Sequence, residues 1–156
     1  MHDVNQNRAN APGFDPRLFL RDEELDYGIS LMLAGERALM RAAGGIATQQ
    51  EIPTLAARVL VALRFQPGQT VTQLREQLDT TVPTMARILG DLDKRDLIER
   101  RMTVADGRAR SLFLTHEGKR ATDPAALAMR DKLRDAYRKA GATSVAGARA
   151  MLEALK

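Results

Sequence analysis

Residues 70–118 read TVTQLREQLDTTVPTMARILGDLDKRDLIERRMTVADGRARSLFLTHEG, and the fold follows from how this stretch is parsed. Leu74 and Leu78 stand four apart and share one helical face. Thr70 followed by Gln73 fits a capping box, with Thr72 as a second candidate cap. The run stops at Asp79-Thr80-Thr81, polar residues that suit a turn. Thr81 is placed to accept backbone N–H groups as the N-cap of a second helix. Pro83 falls in that helix's first turn, where a missing N–H costs nothing. Met85, Ile88, Leu89 and Leu92 then recur at helical spacing as a buried stripe, and Thr84 and Arg87 lie off it. Two helices joined by a short turn, the second with a polar N-terminal face, make a helix-turn-helix.

A hairpin follows. Residues 97–102 predict one strand, 104–110 carry an Asp-Gly turn signal, and 111–115 predict the return strand. Residues 100–120 hold six Lys or Arg (Arg100, Arg101, Arg108, Arg110, Lys119, Arg120) against Asp106 and Glu117, a local charge of +4 that equals the net charge of the chain. The basic excess is therefore concentrated on the hairpin, and a basic hairpin beside a recognition helix is a winged helix. Arg100 and Arg101 are expected to split, one toward solvent and one toward phosphate.

These residues resemble the MarR family of transcriptional regulators. The matching positions are Thr81-x-Pro83-Thr84-x-x-Arg87, Leu97-Ile98-Glu99-Arg100, Asp106-x-Arg108, and Leu112-x-Leu114-Thr115-x-x-Gly118. The ordered set is specific; each piece alone is weak. Asp96 departs from the pattern by standing where the family usually has Gly, and Asp tolerates positive φ better than most residues. Ala86 stands where Ser or Thr often precedes the arginine, which removes one polar contact to DNA. The resemblance implies a homodimer on a pseudo-palindromic operator in double-stranded DNA. It also implies release by a small aromatic or carboxylate ligand, in a cleft that Met32, Leu33 and Arg37 of the first helix and Arg58 and Ala62 of the second would line. Carried over, Arg108 reaches the minor groove and Asp106 holds the wing's shape by pairing with a nearby arginine.

The residues themselves suggest how the surface is used. In a helix-turn-helix the N-terminal residues of the second helix contact base edges. That assigns Thr81, Val82, Pro83, Thr84 and Arg87 to DNA binding, with Arg108 and Arg110 on the hairpin. Arginine pairs bidentately with guanine O6 and N7 or clamps a phosphate, and a Val or Pro can touch a thymine methyl. The plain alternative for Arg87 is a surface pair with Asp91 at i+4; for Arg108 and Arg110 it is a solvated charged turn.

The rest of the chain frames this lobe. Residues 1–16 are rich in Asn, Gly, Pro and charge and read as a disordered arm; a minor-groove contact by Arg8 is its sharper alternative. Residues 17–43 predict a long helix with Leu25, Ile29, Met32, Leu33, Leu39 and Met40 on one face. Gly44-Gly45 breaks it, residues 46–52 read as a polar linker, and a helix is expected at about 54–66, ended by Pro67-Gly68. Arg58 and Arg64 are read by default as a solvated face. After the wing a helix is expected over 121–139, started by Asp123-Pro124 and closed by Gly141, with Ser144 capping a final short helix. The fold class is thus mainly α with a small β-hairpin. Residues 17–52 and 120–156 are expected to dimerise around a DNA-binding lobe at 53–119.

Composition narrows the function. A hydrophobic fraction of 44% over 156 residues supports one packed domain. The chain has no cysteine, which excludes thiol nucleophiles, disulfides and cysteine redox sensing. The expected compartment is the cytoplasm: no apolar run is long enough to span a bilayer, and residues 1–16 lack an apolar signal core. No cofactor and no metal are expected, because His2 and His116 are the only histidines and lie far apart in sequence. No enzyme is expected, since nucleophile, phosphate-loop and triad patterns are missing. The competing function is a winged-helix protein-interaction module without operator binding.

Overall fold

A computed structural model describes residues 20–102 and 110–155. Ten elements follow in order: α1 (Asp22–Ala42), α2 (Ile46–Gln49), α3 (Thr54–Phe65), β1 (Gln69–Thr70), α4 (Val71–Gln77), α5 (Val82–Lys94), β2 (Ile98–Met102), β3 (Arg110–Leu114), α6 (His116–Ala140) and α7 (Ala142–Ala154). The fold is mainly helical with one small antiparallel sheet, as the sequence pattern implies.

The chain divides into two units, Met1–Ala38 and Leu39–Lys156. The described part of the first is most of α1. Its opening turn is acidic at Asp22, Glu23 and Glu24, which suits the positive end of the helix dipole. No residue of α1 is buried, and Leu25, Tyr27, Ile29, Leu31 and Leu33 are all exposed.

The second unit holds the core. Val59, Leu60 and Leu63 of α3, Leu74 of α4, and Met85, Ile88, Leu89 and Leu92 of α5 are almost completely enclosed, together with Ile98, Leu112 and Leu114 of the sheet. The stripe expected on α5 is thus the buried one. The first turns of α6 close the core with Gly118, Ala121, Thr122, Ala125 and Ala126, small residues that let α6 approach α3 closely. Beyond them, Leu127 and Leu133 of α6, Met151 and Leu152 of α7 and its C-cap Leu155 are exposed.

Four local expectations are revised. The segment 46–52, read as a polar linker, contains α2, and Ile46 is buried beneath it. The sheet has three strands in the order β1-β3-β2 rather than two; β1 pairs Gln69 with Leu112 and Thr70 with Ser111. Helix α6 begins at His116, not at Ala121. Thr115 is its N-cap, with its hydroxyl accepting from Gly118 N at 2.9 Å, and Pro124 lies inside the helix. Pro124 has no N–H to donate to the Arg120 carbonyl, and both residues lie on the exposed face of the helix, opposite the buried alanines. Finally, α7 starts after Gly141 (φ +80°), and Ser144 lies inside it rather than capping it.

Candidate nucleic-acid interface

Helix α4 is anchored by a reciprocal capping box. Thr70 N donates to Gln73 Oε1 at 2.8 Å, and Gln73 N donates to Thr70 Oγ1 at 3.2 Å. Because Thr70 also pairs with Ser111, one residue caps the first helix of the motif and ties it to the sheet. The turn that follows passes through Asp79 at φ +45°, a left-handed conformation that Asp adopts more readily than most residues. Thr81 then caps α5: its Oγ1 accepts from Thr84 N at 3.4 Å and lies 2.9 Å from Thr84 Oγ1.

The first turn of α5 therefore presents Thr81, Val82 and Pro83 to solvent, with Val82 65% exposed. Thr84 is half-buried and Arg87 is exposed one turn further on. The pair with Asp91 is not formed: among the described residues Arg87 makes no ion pair. An exposed apolar Val-Pro step, two hydroxyls and an unpaired guanidinium on one helix end can meet methyl groups, phosphates and base edges.

The wing grows outward from the core. Ile98 faces Leu114 and both are buried, whereas Met102 faces Arg110 and both are exposed. Arg101 pairs with Glu99 and its guanidinium lies 4.9 Å from the centre of the Phe113 ring. Arg100, next along the strand, points to the opposite face and, like Arg110, makes no ion pair among the described residues. Sequence alone gave no sign that Phe113 would act as a platform for Arg101. Asp106 and Arg108, on residues 103–109, lie outside the described residues, as does Arg8.

The corner between α5 and β2 holds residues that the motif reading missed. Asp96 adopts φ +55°, which accounts for a glycine-like position there. The Thr115 hydroxyl donates to Asp96 O at 2.5 Å, and Leu97 N closes the helix onto Leu92 O at 3.0 Å. Arg64, expected to be solvated, instead has a side chain only 19% exposed and pairs with Asp123 of α6 at 2.5 Å. Arg58 lines a cavity of about 250 Å³ bounded by Met40, Ile46, Thr54, Ala57 and Val61, while Ala62 is buried in the core. Among the described residues no group of His, Asp or Glu is placed to hold a metal ion, and no helix is long and apolar enough to cross a membrane.

Known proteins share this fold. Residues 51–109 match the sequence model of the MarR family. The chain is 36% identical over 147 residues to the HTH-type transcriptional regulator PetP of Rhodobacter capsulatus, spanning 94% of this chain and 89% of that one. Among solved structures it is similar to NadR in complex with 4-hydroxyphenylacetate, with a TM-score of 0.65, 24% identity, and coverage of 81% of this chain and 89% of NadR. It is also similar to MepR of S. aureus in its DNA complex, with a TM-score of 0.50, 22% identity, and coverage of 82% and 98%. These two likenesses speak to the fold, and the extent of the PetP match carries the assignment: the chain belongs to the MarR family, whose members regulate transcription rather than catalyse a reaction.

Proposed function

We propose that this regulator binds double-stranded DNA as a homodimer on a pseudo-palindromic operator. The observation that carries the reading is the exposed first turn of α5, with Arg87 making no ion pair among the described residues, beside a basic hairpin. Thr81, Val82, Pro83, Thr84 and Arg87 meet the major groove. Arg108 and Arg110 approach the minor groove, and Asp106 braces the wing. Dimerisation is assigned to residues 17–52 and 120–156, around a lobe at 53–119 and behind an arm at 1–16. Its support is the exposed apolar residues of α1 and, separately, those of α6 and α7, since exposed apolar patches mark association sites.

A small aromatic or carboxylate ligand is the proposed effector, of the same chemical class as the 4-hydroxyphenylacetate held by NadR. Arg58, at the edge of the cavity beside α2, is the cation best placed to meet a carboxylate. Selection of binding sequences from a random duplex pool, followed by footprinting, tests the DNA reading. The expected result is two half-sites about 10 bp apart. No enrichment over the input pool would leave the protein-interaction module as the better reading.

A further inference from the structure

The recognition helix is held at its far end by a contact that the helix-turn-helix motif does not contain. Arg95, directly after the last residue of α5, reaches across to the joint between α2 and α3. Its Nη1 donates to Gln50 O at 2.9 Å and its Nη2 to Glu51 O at 3.5 Å. Gln50 is the C-cap of α2, so these are carbonyls of the kind a helix end leaves without partners. Glu51 stands at φ +50° and closes α2, with Glu51 N donating to Thr48 O at 3.3 Å and Ile52 N to Ala47 O at 2.9 Å. A planar guanidinium holds its N–H donors in a fixed fork, so Nη1 and Nη2 can grip two adjacent carbonyls at once, which an ammonium cannot do as well.

Between this joint and α5 lies a cavity of about 300 Å³ whose lining includes Ile52, Ile88 and Leu92 together with Arg87, Asp91 and Arg95. On this side of α5, the Arg95 hydrogen bonds add a directional tie across the cavity to the packing of Ile88 and Leu92. The opposite side of the same corner is pinned by the Thr115 hydroxyl on Asp96 O. The C-terminal end of α5 is thus tied on one side to the α2–α3 joint and on the other to the start of α6.

We infer that Arg95 is a positioning residue for DNA reading: by clamping the Gln50 and Glu51 carbonyls it fixes the angle at which α5 presents Thr84 and Arg87, without touching DNA itself. The inference rests on the DNA-binding reading above. It makes specific recognition depend on Arg95 and leaves charge-driven binding independent of it.

The test uses full-length Arg95→Lys and Arg95→Met beside the unsubstituted chain. Each is titrated by fluorescence anisotropy, over a salt series, against a duplex recovered by selection and a scrambled duplex of the same length. Clamping predicts that Arg95→Met lowers the ratio of selected to scrambled affinity about tenfold, the size of one lost base contact, with an unchanged salt slope. Arg95→Lys, which keeps the charge but loses the fork, should fall between the two. Amide exchange at Glu51 and Ile52 should quicken in both variants. A salt slope lower by about one in Arg95→Met, with equal losses on both duplexes, would make Arg95 a phosphate contact and overturn the inference. An unchanged affinity ratio, or unchanged exchange at Glu51 and Ile52, would also overturn it while leaving the DNA-binding reading intact. If the unsubstituted chain binds neither duplex, the DNA-binding reading fails and this inference falls with it.

Discussion

Gly118 sits against the backbone of Leu97 so closely that a Cβ at Gly118 would lie 1.9 Å from Leu97 O. The contact joins the first turn of α6 to the start of the wing, and Thr115 N reinforces it by donating to the same Leu97 oxygen at 3.3 Å. Only a residue without a side chain lets the two backbones meet. Leu97 follows the left-handed Asp96, so one corner carries two backbone demands in succession.

The substitution Gly118→Ala should therefore destabilise the protein by about 1–3 kcal/mol, because neither backbone can give way as a flexible side chain would. Urea unfolding followed by circular dichroism measures this. A midpoint equal to that of the unsubstituted chain would mean the corner yields at no cost.

At Asp96 the sign depends on the replacement. Asp96→Ala places a side chain with no local hydrogen-bonding capacity at φ +55° and should be less stable than Asp96→Gly by about 1–2 kcal/mol. The two variants compared in one melt series isolate the backbone term. Equal stabilities would show that the left-handed geometry relaxes.

Thr81 contributes through its cap. Replacing it with Ala removes the acceptor for Thr84 N and should cost about 1 kcal/mol of stability. Affinity for a selected duplex should also fall, since the cap orders the turn that presents Val82 and Pro83. A stability loss with unaltered DNA affinity would place Thr81 outside the interface.

The recognition helix and the wing should separate in their salt behaviour. Arg87→Ala is expected to cost about 1–3 kcal/mol on the selected duplex and to relax preference at one operator position. Arg108→Ala is expected to weaken selected and random duplexes alike and to lower the salt slope by about one unit per half-site. Anisotropy across a salt series reads both. No change in affinity or slope for Arg108→Ala would mean that the wing stays off the DNA.

Self-association is testable apart from DNA. Leu152 on α7 is 51% exposed, and Leu152→Glu should leave the lobe folded while raising the dimer dissociation constant at least tenfold, through the desolvation cost of a buried carboxylate. Sedimentation at micromolar concentration should give about twice the monomer mass for the unsubstituted chain. A monomer in that sample would remove the argument for a two-fold operator.

Most of the lobe was legible in the sequence because its signals are local. A capping box spans four residues, the stripe of Met85, Ile88, Leu89 and Leu92 repeats within four, and the family resemblance lies on the same stretch. Backbone and side-chain preferences act at that range before any tertiary contact forms, so the helices, the turn and the exposed first turn of α5 could be read directly. The contacts that only tertiary structure decided join residues far apart in the chain. Two residues too short to signal a strand become β1 by pairing with β3. Burial of α6 against the core carries a helix through Pro124, overriding what reads locally as a start. Gly118 needs Leu97 beside it before its missing side chain matters. Arg95, unremarkable in the sequence, acquires its partners only when α2 and α5 come together, because a long-range hydrogen bond depends on the packed geometry and leaves no periodicity along the chain.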